Sequence, residues 1–139
     1  MKYLLDTCVI SELVRSAPDP KVIEWLNEVP SGLLFMSVLT IGEIHKGLKK
    51  LPESSRKRQL TTWLNTLVEE YADRMLPVDL KVAENWGHLQ GNAENAGTPM
   101  PTIDGLIAAT SYTYNLTLVT RNETDFAPSP IPIFNPWKT

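Results

Sequence analysis

Four side chains offer oxygen ligands at points where the chain changes direction: Asp6 in KYLLDTCVIS, Glu43 in LTIGEIHKG, Asp104 in PTIDGLIAAT and Asn122 in LVTRNETDF. Three carboxylates and an amide suit a hard divalent cation. Mg²⁺ and Mn²⁺ prefer carboxylate and water oxygens, and their sites need only a few protein ligands. No His–His or cysteine spacing competes for a softer metal. The condition is that the fold bring these residues together. Two carboxylates about 4 Å apart repel by about 4 kcal/mol at an effective dielectric near 20, so a gathered trio must protonate, bind cations or accept a basic group.

Each residue also has a purely structural use. Thr40-Ile41-Gly42-Glu43 has the form of a capping box, in which the glutamate reaches back to the cap amide. Thr102 is placed to cap the helix of Asp104, where an acid in the first turn suits the dipole. Asn122 fits an Asx turn or the cap of a short helical turn, with Asp125 three residues on. A cap contributes about 1 kcal/mol, less than the repulsion within a carboxylate cluster, so convergence would outweigh these uses.

Neighbouring reactive types point elsewhere. His45 is two positions from Glu43 and so faces away from it on a helix, and it reads with His88 as structural. Lys46 shares a face with Glu43 and reads as its i,i+3 ion-pair partner. Cys8 reads as a small packed side chain, Asp79 as an N-cap, and Trp25, Trp63 and Trp86 as core or interface residues.

The elements that must position these groups alternate. Tyr3-Leu4-Leu5 is a short strand ending at Asp6, and Val9 to Val14 continues as a helix. A second helix begins around Val22 after Pro18 and Pro20. Leu33 to Val38 is a continuous apolar run, as in a strand buried on both faces. Thr40 opens the next helix, and Leu60, Trp63, Leu64, Leu67, Val68 and Tyr71 mark another by their helical spacing. Met75 to Val78 is a third strand, followed by a helix from Leu80 to about Ala96 and then the helix carrying Asp104. Thr117 to Thr120 is a fourth strand, and Ile131 to Phe134 a fifth that Pro130 and Pro132 confine to an edge. The pattern predicts one α/β domain over residues 1–139 with a central, mainly parallel five-stranded sheet flanked by helices. In such sheets ligands gather beyond the carboxyl ends of the strands, where Asp6 and Asn122 both fall.

Composition narrows the function classes. The 139 residues fit one substantial core, and no run approaches the roughly 18 apolar residues of a membrane span. Asp6 interrupts the first apolar run, so the start does not read as a signal peptide. Cys8 is the only cysteine, which rules out a disulfide framework and points to a reducing cytoplasm. The net charge of −3 gives no global attraction for nucleic acid. Locally, Lys46, Lys49, Lys50, Arg56, Lys57 and Arg58 form a basic stretch, either a solvated helix face or a patch for a phosphate backbone.

In order and spacing, LLDTCVISEL, LTIGEIHKGL, PTIDGLIAAT and LVTRNETDF resemble the four motifs of the PIN-domain ribonucleases, in particular the VapC and FitB toxins of bacterial toxin–antitoxin systems. The ending IFNPW is similar to FitB-type members, and the resemblance spans essentially the whole chain. It implies an endoribonuclease dependent on Mg²⁺ or Mn²⁺, with Asp6, Glu43 and Asp104 as metal-binding acids and Thr7 as the adjoining hydroxyl. Thr7 and Asn122 would position water or metal, and Arg121 or the basic stretch would hold the RNA backbone. It further implies a cognate antitoxin, homodimerisation, and DNA contact only through the antitoxin complex. Some family members carry an acid where this chain has Asn122; Asp125 either supplies that charge or only caps the turn.

Two other functions are compatible with the residues. One is a non-catalytic subunit whose acidic pocket docks a basic antitoxin within a DNA-binding regulatory complex. The other is a small phosphatase of the haloacid-dehalogenase type, which also starts with an aspartate after a strand. That enzyme normally requires a second aspartate two positions on, where this chain has Cys8.

Overall fold

A computed structural model describes residues 1–139. Five strands, β1 (Tyr3–Leu5), β2 (Leu34–Ser37), β3 (Met75–Leu76), β4 (Thr117–Val119) and β5 (Ile133–Phe134), form one sheet in the order β3-β2-β1-β4-β5. Every pairing is parallel. β1 is central, and β5 lies at an edge, where neighbouring prolines cost no ladder bond.

Seven helices connect the strands: α1 (Thr7–Glu12), α2 (Pro20–Glu28), α3 (Val38–Lys49), α4 (Ser55–Glu70), α5 (Leu80–Asn95), α6 (Thr102–Tyr114) and α7 (Glu123–Phe126). None is long and apolar enough to cross a membrane. Strand alternation sends Leu4 and Leu118 to one face of the sheet and Leu5 and Val119 to the other, so both faces are apolar. On the first face they meet Ile107, Ala108 and Phe126; on the second they meet Val9, Ile10, Val22, Ile44 and Leu64. The sheet is thus buried between two helical layers, and only its strand ends remain for chemistry.

Helix starts differ from expectation at four places; one is α2, which begins at Pro20, earlier than Val22, because Asp19 caps it and accepts from the Lys21 amide. The first helix begins at Thr7, earlier than Val9, because Asp6 is its N-cap and accepts from the Thr7 amide. The third begins at Val38, earlier than Thr40, because Ser37 accepts from the Leu39 amide and supplies the cap. The expected capping box at Thr40–Glu43 therefore does not form. Thr102 is already helical, and Pro101 stands at the cap position with no side-chain hydrogen bond. Pro101 presets the φ of the entering residue, which makes a threonine cap unnecessary. Asp79 caps α5 as expected, accepting from the Val82 amide.

Candidate active site

The register of β1 on β4 pairs Leu5 with Val119, and the Asp6 amide donates to the Val119 carbonyl at 3.0 Å. Asp6 and Thr120 therefore leave adjacent strands side by side. Thr120 is fully buried; its hydroxyl donates to Asp6 Oδ2 at 2.7 Å and accepts from the Asn122 amide at 3.0 Å. One threonine thus holds the first acid and fixes the turn that carries Asn122. Asp6 Oδ1 takes the Thr7 amide at 2.9 Å.

Thr7 links the first motif to the second. Its Oγ1 donates to Glu43 Oε1 at 2.5 Å and lies 3.2 Å from Thr40 Oγ1. Since Ser37 caps α3, Glu43 is released from the cap and its side chain faces α1. The expected Lys46–Glu43 ion pair is absent, and Lys46 is exposed. A solvated lysine gains little from an exposed i,i+3 partner, whereas a part-buried hydroxyl offers Glu43 a fixed donor.

Asp104, in the first turn of α6, is half-buried and accepts no hydrogen bond. Burial, then the charges of Asp6, Asp125 and Glu43, push its carboxyl from an ordinary 3.8 up to about 6. Asp6 is also raised, chiefly by burial and partly by Glu43, against the lowering effect of the Thr120 and Thr7 hydrogen bonds. Geometry links two of them directly: the Thr7 amide donates to Asp6 and the Thr7 hydroxyl to Glu43. Asp125 joins them from α7. None of the four carboxylates is in an ion pair.

The donor chemistry fits a hard cation. The carboxylate cluster is uncompensated, Asp104 has no donor on either oxygen, and Glu43 Oε2 is free. The cluster is open: no three His, Cys, Asp or Glu side chains close around a single metal-sized point. Asn122 occupies the cap position of α7, but its side chain makes no cap hydrogen bond, so its amide remains available.

Cys8 is more than packing. Its Sγ lies 3.7 Å from Asp6 Oδ2 and 3.6 Å from Thr120 Oγ1. Burial and the Asp6 charge push the thiol up to about 11, so it stays protonated and is a poor nucleophile. His45 and His88 are exposed and lie outside the cluster. In the basic stretch, Arg56 donates to the Val14 carbonyl at 2.5 Å and Lys57 pairs with Glu53 at 2.9 Å, so two of its cations are committed to local structure.

Sequence reasoning missed Thr40, Thr120 and Glu12. The two hydroxyls had no signal of their own, though Thr120 is the residue that parallel register sets beside Asp6. Glu12 is 1% exposed and ties the α1–α2 turn, accepting from Arg15 at 2.9 Å and from the Asp19 amide at 3.3 Å. Its position on the inward face of α1, between Val9 and Val14, was the available clue.

Known proteins match the chain over nearly its whole length. The family model described as PIN domain matches residues 3–127. Toxin FitB of Neisseria gonorrhoeae is 33% identical over 135 residues, covering 96% of this chain and 97% of that protein. VapC ribonuclease Y4jK of Sinorhizobium fredii is 33% identical over 139 residues, covering 97% of each. Among solved structures, FitAcB from Neisseria gonorrhoeae superposes with a TM-score of 0.94 at 33% identity, covering 99% of both chains. FitAB bound to an IR36 DNA fragment gives 0.92 at 32% identity, covering 97% of this chain and 95% of that one.

Proposed function

Because the chain belongs to the PIN-domain family, with VapC and FitB toxins among its relatives, we propose that it is the endoribonuclease toxin of a toxin–antitoxin pair, dependent on Mg²⁺ or Mn²⁺. The observation that carries this reading is the group of Asp6, Glu43 and Asp104, none of them in an ion pair, at the end of β1 and in the early turns of α3 and α6, with Thr7 bonded to both Asp6 and Glu43 and Asp104 raised to about 6 by burial and by the other acids.

Hydrolysis of a phosphodiester adds a water oxygen to phosphorus and breaks one bridging P–O bond; the water gives up a proton and the leaving oxygen gains one. Asp6, Glu43 and Asp104 would hold a divalent cation, directly or through water, and such an ion would supply charge against the phosphate oxygens and lower the pKa of a nearby water. Thr120 fixes Asp6, and Thr7 fixes Glu43, so neither carboxylate must reorganise when substrate arrives. Asn122 adds a carbonyl oxygen without charge, and Asp125 supplies the charge missing at that corner. Cys8, where a haloacid-dehalogenase phosphatase would need its second aspartate, offers a protonated thiol, which argues against that chemistry.

The partners follow from the relatives. FitAcB and FitAB are two-component assemblies, one of them on DNA, which supports an antitoxin partner and contact with DNA through the complex. A homodimer is the usual assembly of the family. An RNA substrate supports action in the cytoplasm.

The test is cleavage of RNA by the chain freed from its antitoxin. Wild type should cut with Mg²⁺ or Mn²⁺ and stop on adding EDTA, and Asp6→Asn should not cut under any condition. Wild-type protein that is folded yet inert with both metals overturns the reading.

A further inference from the structure

The IFNPW ending builds a device beside the acid cluster that the hydrolytic groups do not use. Asn135 accepts from the Trp137 amide at 2.9 Å, and its own amide donates to Glu123 Oε2 at 2.9 Å. That turn, with Pro136 buried, sets the Trp137 ring under Arg121, whose guanidinium carbon is 4.5 Å from the ring centroid. Arg121 is exposed and makes no ion pair and no side-chain hydrogen bond, so all its donors are free. The adjacent anion is already satisfied: Glu123 pairs with Lys138 at 2.6 Å. Arg121 immediately precedes Asn122, and both line a polar cleft of about 580 Å³ with Asp125, Asn135, Trp137 and Lys138.

A guanidinium fixed by a ring, with its donor fork unoccupied, is preorganised for a planar pair of anionic oxygens. An exposed arginine ordinarily carries about 2 kcal/mol of rotamer entropy, and stacking removes part of that cost before binding. The candidate cations of the basic stretch lack this arrangement: Arg56 and Lys57 are committed, and none stacks on a ring.

We propose that Arg121, stacked on Trp137, is the preorganised phosphate clamp of this chain, gripping an RNA backbone phosphate next to the one that is cut. This rests on the RNA-cleaving reading but is separable from it. Arg121 contacts the substrate, while Trp137 and Asn135 are positioning residues.

The experiment measures binding of a short, mixed-sequence, single-stranded RNA to the full chain in EDTA, by fluorescence anisotropy across a salt series. Arg121→Ala should weaken binding about tenfold and shrink the salt slope by about 0.7, the value of one phosphate contact on a single strand. Arg121→Lys should keep the slope and recover only part of the affinity, since charge returns without the fork. Lys49→Ala, in the basic stretch, should change both by much less. Cleavage of the same RNA with Mg²⁺ should show Arg121→Ala raising KM with kcat nearly intact. If Arg121→Ala matches wild type in Kd and slope while wild type still cuts, the clamp is wrong and the nuclease reading stands. If wild type binds RNA with this dependence but never cuts, the nuclease reading is wrong and the clamp stands. Wild type that does not bind RNA at all overturns the clamp.

Discussion

Asp104→Asn should stabilise the metal-free protein at neutral pH. In the fold the Asp104 carboxyl is pushed from 3.8 to about 6, by burial first and then by Asp6, Asp125 and Glu43. A folded pKa above the unfolded one means that ionised Asp104 opposes folding. Below 3.8 both states are protonated and the cost vanishes; above about 6 both are ionised and the cost is complete. Wild-type stability should therefore fall as pH rises through that window. The shift of about 2 pH units corresponds to about 3 kcal/mol for a group shielded from water. Asp104 is only half-buried, and solvent screening reduces this to about 1 kcal/mol. The asparagine keeps the shape and loses the charge, so its profile should lack the fall and lie about 1 kcal/mol above wild type at neutral pH. Urea unfolding in EDTA from acid to neutral pH checks this. Adding Mg²⁺ should reverse the order, because wild type gains the cation and the variant binds it poorly. Parallel wild-type and variant profiles in EDTA, with no convergence at low pH, would refute the argument that the acids repel one another.

Asn122→Asp adds a fourth charge to the cluster and should tighten Mg²⁺ binding several-fold, since metal affinity at oxygen sites rises with ligand charge; unchanged affinity by calorimetry counts against Asn122 facing the cation. Thr120→Val removes both the donor to Asp6 and the acceptor for the Asn122 amide, and should cost about 1–3 kcal/mol in urea unfolding together with most of the RNA cleavage. At the buried Glu12, losing the partner should hurt more than losing the charge: Arg15→Ala strands a carboxylate that is 2% exposed, whereas Glu12→Gln leaves a half-solvated arginine. Arg15→Ala should therefore be the less stable of the two in urea unfolding, and the reverse order would show that the pair contributes little. Gly105→Ala places a methyl 3.1 Å from Trp86 Nε1 and 3.3 Å from Gln90 Oε1, and should lower Tm by a few degrees for a loss of about 1 kcal/mol.

The apolar runs at Tyr3–Leu5 and Thr117–Val119 were legible because a strand buried on both faces leaves no polar alternation. Asp6 and Asn122 after them were legible for the same reason: a polar side chain that follows such a run lies beyond the carboxyl ends of the strands. The short-range competition at helix starts was harder to read. Ser37 and Thr40 are both acceptable caps three residues apart, and which one serves depends on where β2 releases the chain, a tertiary matter. That choice decided whether Glu43 was a cap or a site residue. Thr120 was hidden because a hydroxyl gives no pattern, and Thr7 was placed only through the family resemblance; their contacts come from partners 114 and 36 residues away in sequence. The NPW turn was visible as a motif, but only the fold brings Trp137 beneath Arg121.

β1 lies at the centre of the sheet, and Asp6 is its next residue, bonded by its amide to β4. A hydrogen at that amide can exchange only when the middle of the molecule opens, and such openings approach the full unfolding free energy. The Asp6 end of β1 is therefore tied to the most stable part of the fold and does not fray by itself. A group held this way is not switched off by local unfolding. Restraint has to be imposed from outside, by something that covers the edge or by proteolysis of the whole chain, and the lifetime of any covering partner then sets how long the protein stays harmless.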